Sequence, residues 1–534
     1  MKRRALLLTA TALALFPARF RAADANGPPV LRLTRDELSE DPGTGRLTLP
    51  AADLPPPAVS APVIAATDGD PAAARLRAFF ARGLAAGLAG VLYDNRDRGH
   101  SELPASAFPQ MTRVVYGPGL KAQQLDYGLA GAFRFPAITL GNSSTALVRG
   151  PEARSQTRLA MTQPGGAARA AADYRANALY TYPEHHDHEL FDYFPAAWPY
   201  MTTSQGSSYS DQPFLRIQAL ILGAFRPETR ARMEKLGLIA PTVQWVMRRT
   251  QNGLRGDAAY MSGSAHPSAF VKEALNPFAA VALASSLGPD EIPPAPRLKV
   301  VSEDFSDRAG LASLSERLFD TPAAIARLWR SLAGRREITL SAAGTTDPAG
   351  RPLRFHWVLL RGDPDAVTIV PQGASARIIL DWQTPRPAPA GFAIKDSPPI
   401  SSRIDIGLFA EAGRHLSAPA FLSITLPPEV RTYDFAPEGA ARLIRVSYDA
   451  PARPARYDPA LFWWAPWRDD MQYDAGGRLT GWTRSVTAPS IAAARAAGRY
   501  RADGSRDGSG DGHPVRYALG PLIDRRGREL GLRG

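Results

Sequence analysis

Cysteine is absent from all 534 residues of the chain, so the fold has neither disulfide bonds nor thiolate metal ligands. Apolar packing must supply the stability instead, and 45% of the residues are hydrophobic, which is ample for folded domains. Lysine is scarce too: the chain has six, so arginine carries most of the formal net charge of +12. The arginines are dispersed and form no basic run interleaved with aromatics outside the two termini, so we predict no nucleic-acid partner.

A complete catalytic signature is also absent. The chain has no His-Glu-x-x-His, no P-loop, no full dinucleotide fingerprint and no Gly-x-Ser-x-Gly. No activity can therefore be assigned from one of these common motifs. Clusters of polar side chains are therefore the main evidence on function.

The N-terminus has the pattern of a secretory signal peptide. A basic start at Lys2-Arg3-Arg4 precedes an apolar run from Ala5 to Phe16, and Ala23-Asp24-Ala25 has the form that signal peptidase accepts. This run of twelve residues is too short to span a bilayer as a helix, and no later stretch approaches that length. The pattern predicts a signal peptide at 1–25 and a periplasmic or secreted protein that does not span the membrane after cleavage.

Shifts in composition and pattern divide the rest of the chain into six parts. Strand-like runs alternate with amphipathic helical patterns, the first opened by Asp70-Pro71, which predicts an α/β domain. Regular strand patterns follow after a helix opened by Thr321-Pro322, so we expect a multidomain protein with a β-sandwich. The predicted parts are a Pro- and Ala-rich linker or strap (26–66), the α/β domain (67–296), a connecting strand and helix (297–334), the β-sandwich (335–430), a small β-rich segment (431–484) and a largely flexible tail (485–534).

The predicted sandwich opens with a specific strand-turn-strand pattern. Ile338 and Leu340 alternate with polar residues, Asp347-Pro348-Ala349-Gly350 is a turn sequence, and the alternation resumes in a strand that ends at Trp357. This pattern resembles the opening of a PKD or related immunoglobulin-like module, although the Gly-Asp-Gly that commonly follows the Trp is absent. The resemblance covers about 335–426. It implies a non-catalytic β-sandwich, often appended to secreted hydrolases and surface proteins, with Trp357 buried between its sheets.

The densest chemically active stretch runs from Glu184 to Glu189, where three of the chain's eight histidines fall within four positions. On an extended segment Glu184, His186 and His188 share one face, because side chains alternate. Such a set is suited to bind zinc or a similar metal, so we predict these three residues as metal ligands. The alternative is a solvated, charged loop.

His185, Asp187 and His188 are predicted catalytic residues, as proton carriers or additional ligands. In part the stretch resembles the His-x-His-x-Asp-His signature of the metallo-β-lactamase fold. Pro183 stands in place of the first histidine, which removes a ligand. That activity is therefore not carried over to this chain.

A second polar stretch, the Tyr93–Ser101 turn, contains several oxygen ligands and a histidine. Asp94 and Asp97 are predicted metal ligands: the turn could hold calcium or a sugar, or it could join the histidine segment in space. Both stretches follow strand-like runs, and ligands gather at the carboxyl ends of strands in open α/β sheets, so we expect them on the same side of the domain. The alternative is a turn with local ion pairs.

A third polar stretch is the loop before the helix that starts near Pro213. Ser207, Ser208, Ser210 and Asp211 are predicted binding residues, because free amides and hydroxyls at a helix N-terminus suit anionic or hydroxylated ligands. Simple capping of the helix by Ser210 or Asp211 is the alternative.

These observations favour an exported, metal-assisted hydrolase of a polysaccharide, ester or phosphate of the envelope or the extracellular medium. The alternative is a non-catalytic carbohydrate- or protein-binding envelope protein, in which Trp463, Trp464 and Trp467 stack on the ligand. A third alternative stays open, because the whole chain also resembles secreted bacterial proteins without an assigned activity.

Overall fold

A computed structural model describes residues 28–144, 156–184, 199–307, 315–329, 335–381, 386–387, 400–401, 403–426, 429–435, 441–448, 467–486, 497–503, 505 and 507. Within these ranges helices α1 to α9 are Pro71–Ala81, Pro118–Ala122, Gln156–Thr162, Gly166–Arg175, Gln212–Ala224, Pro227–Leu236, Ile239–Arg249, Gly256–Tyr260 and Pro277–Ser286. Strands β1 to β26 are Val30–Leu33, Ser39–Glu40, Leu47–Thr48, Leu92–Asn95, Thr112–Tyr116, Phe133–Arg134, Thr139–Asn142, Ala178–Pro183, Thr202–Ser204, Lys299–Glu303, Arg317–Thr321, Ala324–Leu328, Arg335–Ser341, Leu353–Arg361, Val367–Gln372, Ser375–Asp381, Arg386–Pro387, Ile400–Ser401, Arg403–Ala412, His415–Leu416, Ala420–Thr425, Glu429–Phe435, Ala441–Tyr448, Trp467–Tyr473, Leu479–Val486 and Gly498–Arg501.

A six-stranded parallel sheet forms the centre of the N-terminal part, which confirms the predicted α/β domain. Its strands lie in the order β1-β5-β4-β7-β8-β9, and every neighbouring pair is parallel. The chain passes from β4 to β5 on one side of β4 and then to β7 on the other side, so the strand order reverses between β4 and β7. In open α/β sheets ligands bind at the carboxyl ends of the strands at such a reversal.

Helices cover this sheet and close its core. α5 packs on β7 and against α1, α7 and α9, while α4 packs on β8. α1 begins as the sequence predicts: the Asp70 carboxylate accepts a hydrogen bond from the Ala72 amide (2.8 Å), and Pro71 occupies the first helical position. β7 and β8 are buried almost throughout, as expected of parallel strands that are covered on both faces.

The Asp94 carboxylate connects strands on both sides of β4. It is fully buried and accepts hydrogen bonds from the hydroxyls of Tyr116 in β5 (2.7 Å) and Tyr180 in β8 (2.8 Å). Arg96 lies 3.6 Å from the same carboxylate and donates to the Tyr116 hydroxyl (2.8 Å). The Tyr180 ring reaches Asp94 by lying over Gly141 of β7, where a Cβ atom would stand 2.7 Å from ring atom Cδ1. Close approach of the ring therefore requires glycine at this position.

Gly141→Ala should destabilise the α/β domain, because the added methyl group collides with the Tyr180 ring and with the Asp94 carbonyl oxygen, 2.8 Å away. We expect the free energy of unfolding to fall by about 1–3 kcal/mol in urea denaturation, the usual range for an overpacked core. Gly119→Ala in α2 is the matched control, because its Cβ meets nothing within 4 Å. Its effect should stay within about 0.5 kcal/mol; equal effects of the two substitutions would contradict this account.

Two β-sheets occupy the region in which the sandwich is predicted. β13, β15 and β16 lie in a sheet with the order β10-β13-β16-β15, and β14, β19 and β21 lie in a sheet with the order β11-β12-β21-β19-β14. Trp357 of β14 is buried as expected, and it shares one hydrophobic core with Ile338 and Leu340 of β13. The β-rich character of this region is confirmed, whereas a PKD-type module stays a prediction.

The helix predicted after Thr321-Pro322 is wrong. This stretch forms β12, which pairs with β11 in an antiparallel hairpin and with β21 in parallel. Every residue of β12 is buried, and Arg327 within it forms ion pairs with Glu303 (2.6 Å) and Asp320 (2.7 Å). Pairing with strands distant in the sequence overrides the local helical pattern. The predicted connecting region is therefore part of both sheets, because β10 extends one and β11–β12 the other.

The two ends of the chain also contribute strands: β23 and β24 lie in the β-rich segment predicted at 431–484, whereas β26 lies in the tail at 485–534 that was predicted to be largely flexible. The strap at 26–66 contributes β1, which pairs with β5 at the edge of the parallel sheet, and β2 and β3, which form a small sheet with β6. Near the C-terminus β22 to β26 form one antiparallel sheet. The predicted signal peptide at 1–25, Trp463 and Trp464 lie outside the described residues. No helix within the described ranges is long and apolar enough to cross a membrane.

Candidate active site

The carboxyl edge of the parallel sheet collects polar segments from four strands. The Tyr93–Ser101 turn includes the end of β4, Ser143-Ser144 follows β7, Glu184 follows β8, and the Ser204–Asp211 loop follows β9. Because parallel strands end at the same edge, these segments come together where the strand order reverses. The turn therefore lies on the same side of the domain as Glu184, the residue at which the predicted histidine segment begins.

Asn95 holds the turn after β4 in a strained conformation. Its side-chain oxygen accepts hydrogen bonds from the amides of Asp97 (3.0 Å) and Gly99 (2.9 Å), and its amide group donates to the His100 carbonyl (3.0 Å). Ser101 has a φ of 53°, in the left-handed region that non-glycine residues rarely adopt. Such strain persists where surrounding contacts enforce it, and it is concentrated at functional sites. Here the turn brings the side chains of Asp97 and His100 into contact.

Asp97, His100 and Ser144 form one hydrogen-bonded group at this edge. The His100 Nδ1 atom lies 2.9 Å from Asp97 Oδ2 and 2.7 Å from the Ser144 hydroxyl. The same Asp97 oxygen accepts hydrogen bonds from the Ser144 hydroxyl and from the Ser144 amide (3.2 Å). Asp97 is buried, whereas 36% of the His100 side chain is exposed. Since the carboxylate is an acceptor, the proton of the neutral imidazole is held on Nδ1, and Nε2 stays a proton acceptor.

Nε2 has no hydrogen-bond partner within the described part of the chain, so this nitrogen can accept a proton. One face of the imidazole lies against Tyr209, with 4.3 Å between the ring centroids, and the tyrosine ring is itself exposed. In a Ser-His-Asp triad the serine and the carboxylate bind opposite ring nitrogens, whereas here both bind Nδ1. The geometry therefore suits a carboxylate-oriented general base and does not activate Ser144 as a nucleophile.

Asp211 lies fully buried beside this group, directly before α5. Its Oδ2 atom accepts a hydrogen bond from the Asn142 side chain of β7 (2.9 Å), and Asn142 also donates to the Ser101 carbonyl (3.1 Å). Burial raises the pKa of Asp211 to about 6, against the lowering effect of its hydrogen bonds with Asn142 and Ser101. The negative charge of Asp97 adds to the rise. Asp211 therefore gains its charge well above the pH at which an exposed aspartate does.

This raised pKa predicts a pH-dependent loss of stability. The folded chain holds the Asp211 proton more tightly than the unfolded chain, where the pKa is 3.8, so the contribution of Asp211 to the free energy of unfolding falls from about pH 4 to about pH 6 and then levels off. Asp211→Asn should lack this fall, so its stability relative to wild type should rise by about 2–3 kcal/mol over that range. Urea denaturation at intervals of pH measures the difference. Exposed Asp53→Asn is the control; a pH-independent difference for D211N would contradict the assignment.

The loop after β9 lies at the predicted edge, and its serines differ in their contacts. Ser207 and Ser208 are exposed, whereas the Ser210 hydroxyl donates to the Ser207 carbonyl (2.6 Å). The Gly206 amide donates to the buried Glu184 carboxylate (3.1 Å), which connects the loop to the end of β8. Two of the predicted binding serines are thus accessible to a ligand, and the third holds the loop in shape.

The predicted metal site lies largely outside the described residues, because they do not include His185, His186, Asp187 and His188. Within the described part of the chain no three His, Asp or Glu side chains are placed so that they could hold a metal ion. Asp94 is engaged by two tyrosine hydroxyls, and Asp97 by the histidine and serine described above. Binding of zinc or a similar metal by the histidine segment stays a prediction.

Sequence reasoning placed Asp97 in the site but did not identify Asn142, Ser144 or Tyr209. Asn142, the last residue of β7, and Ser144 belong to a polar run at the end of this strand, a pattern that marks a strand end at a ligand-binding edge. The strand order is needed to place these residues beside Asp97, because it shows that β4 and β7 are neighbours at the reversal.

Comparison with known proteins gives little support to any assignment. The sequence matches no protein-family profile and no curated protein. It is similar to a solved structure of a nucleoside hydrolase-related hypothetical protein from Saccharophagus degradans that is associated with carbohydrate metabolism, at 13% identity and a TM-score of 0.19. The similarity covers 57% of this chain and 65% of that one, less than two thirds of its length. At this TM-score the similarity supports no statement on activity.

Proposed function

We propose that the protein is an exported hydrolase that uses the Asp97–His100 pair as its general base. The observation that supports this is the orientation of the imidazole at the carboxyl edge of the sheet: Nδ1 is bonded to a buried carboxylate, Nε2 has no hydrogen-bond partner among the described residues, and 36% of the side chain is exposed. Export is supported by the N-terminal leader pattern. The hydrolase class predicted from the sequence is retained, with its centre at Asp97 and His100 in addition to the His185–Glu189 segment.

In this mechanism His100 Nε2 accepts a proton from a water molecule as the water oxygen attacks the substrate. Asp97, 2.9 Å from Nδ1, stabilises the imidazolium that forms, and the two hydrogen bonds from Ser144 hold Asp97 in place. The imidazolium then returns the proton to the leaving oxygen, so the base is regenerated in each turnover. General-base catalysis of this kind contributes roughly 10²–10⁴ in rate.

The charges at the edge bear on the bond that is cleaved. Most glycosidases place two carboxylates on either side of the glycosidic bond. Asp211 and Glu184 are buried and Asp97 is bonded to His100, whereas the side chain of Glu102 is 43% exposed. Glu102 is thus a single accessible carboxylate, and these described residues form no exposed pair. An ester or phosphate bond therefore suits this site better than a glycosidic bond. The exposed Tyr209 ring beside His100 offers an apolar surface to the neighbouring part of the substrate.

Hydrolysis of p-nitrophenyl acetate, p-nitrophenyl phosphate and p-nitrophenyl glycosides by the purified chain tests this proposal. His100→Asn should lower kcat/KM on the accepted ester or phosphate by about 10²–10⁴. His356→Asn is the matched control, because His356 also pairs with a carboxylate, Glu411 (2.7 Å), but lies in the β-sheets. The control should keep wild-type activity, and full activity of H100N would contradict the proposal.

Ser144→Ala separates positioning from nucleophilic catalysis. A serine that only holds Asp97 should give a smaller loss of kcat/KM than His100→Asn, and the wild-type protein should not react with a fluorophosphonate probe at Ser144. Labelling of Ser144, or a loss as large as that of H100N, would contradict the general-base mechanism. Activity after EDTA treatment reports separately on the predicted metal.

A further inference from the structure

A cleft of about 170 Å³ lies between the α/β domain and the β-sheets. It is lined from six segments of the chain, among them Tyr174 and Arg175 of α4, Tyr200 before β9, and Arg297 before β10. Arg175 and Tyr200 precede β8 and β9, so the cleft lies towards the amino ends of these strands. The Asp97–His100 pair lies at the opposite, carboxyl edge, so the two sites are separate.

The wall of the cleft is apolar, aromatic and fixed in place. The rings of Tyr174 and Tyr200 are buried and meet edge to face, with 5.1 Å between their centroids. The Tyr200 hydroxyl donates to the Thr321 hydroxyl and accepts a hydrogen bond from the Ala323 amide, both at 2.8 Å. Leu238 and several prolines complete the lining. A ligand would therefore bind against a preformed aromatic wall, and the side chains of the cleft would need little rearrangement.

Two cations flank this apolar surface. Arg175 and Arg297 both line the cleft and are exposed, and neither guanidinium has a hydrogen bond or an ion pair with any described residue. Some other surface arginines are paired with carboxylates, as Arg232 is with Asp290 (2.5 Å). Guanidinium groups bind carboxylates through paired hydrogen bonds of matching geometry. The two arginines therefore favour an anionic ligand.

We propose that this cleft binds a small monocyclic aromatic carboxylate. The size agrees, because a cavity of about 150 Å³ accommodates benzene. The ring would pack against Tyr174 and Tyr200, and the carboxylate would lie towards Arg175 and Arg297. Since the lining comes from both the α/β domain and the β-sheets, the bound ligand stabilises their interface and raises the Tm of the whole chain.

Isothermal titration of the full chain with benzoate tests the proposal. A ligand of this size should bind with a Kd between about 10 µM and about 1 mM. Arg297→Gln and Arg175→Gln should each weaken benzoate binding by at least about tenfold, because each removes a charged donor. Arg255→Gln is the matched control: Arg255 is exposed and its guanidinium donates only to the neighbouring Leu254 carbonyl, so the control should bind as the wild type does.

Benzyl alcohol and acetate test the contributions of the ring and the carboxylate separately. Both should bind more weakly than benzoate, the first because it lacks the charge and the second because it lacks the ring. No saturable benzoate binding, equal binding of benzyl alcohol, or unchanged affinity in both arginine variants would overturn the proposal. His100→Asn should leave benzoate binding unchanged; a loss in that variant would place benzoate at the carboxyl edge and also overturn the proposal.

Discussion

A carboxylate in a protein interior needs hydrogen bonds on both oxygens, and the α/β domain is arranged to supply them to Asp94. Its partners, Tyr116 and Tyr180, come from β5 on one side of β4 and from β8 beyond β7 on the other. The single carboxylate thus fixes the spacing of strands across the reversal in strand order. Removing either partner would leave part of a buried charge without compensation, which is strongly unfavourable. The requirement also dictates a glycine in β7, over which the Tyr180 ring passes.

The candidate active site rests directly on this buried arrangement. The turn that carries Asp97 and His100 starts where β4 ends, one residue after Asp94, so its origin is set by the interior of the sheet. Asn142 of β7 connects β4 to the start of α5: it accepts a hydrogen bond from the Tyr93 hydroxyl (2.8 Å) and donates one to Asp211 (2.9 Å). The buried end of β4, Asn142 of β7 and Asp211 before α5 surround the turn. These contacts explain why the strained turn can persist and hold the His100 imidazole in one orientation.

Local patterns predicted the elements better than their arrangement. The α/β alternation and the start of α1 at Asp70-Pro71 follow from periodicity and capping, which depend on neighbouring residues only. Asp94 was predicted as a metal ligand because it stands near a strand end; its burial depends on tyrosines from two other strands, whose registers the sequence does not reveal. The turn with Asp97 was recognised, whereas Ser144 required the order of strands. β12 was missed for a related reason, since its parallel partner β21 is remote in the sequence.

The parallel pairing of β12 with β21 also has a kinetic consequence. Ala324 pairs with Phe421, and β13 to β20 lie between the two strands in the sequence. During synthesis the edge of β12 that pairs with β21 therefore stays without its hydrogen-bond partner until nearly the whole of the β-rich region has emerged. Closing the long loop between β12 and β21 is slow. Unpaired apolar strands are sites of intermolecular association. A chain of this topology should consequently depend on chaperones during folding more than its ample hydrophobic core alone would imply.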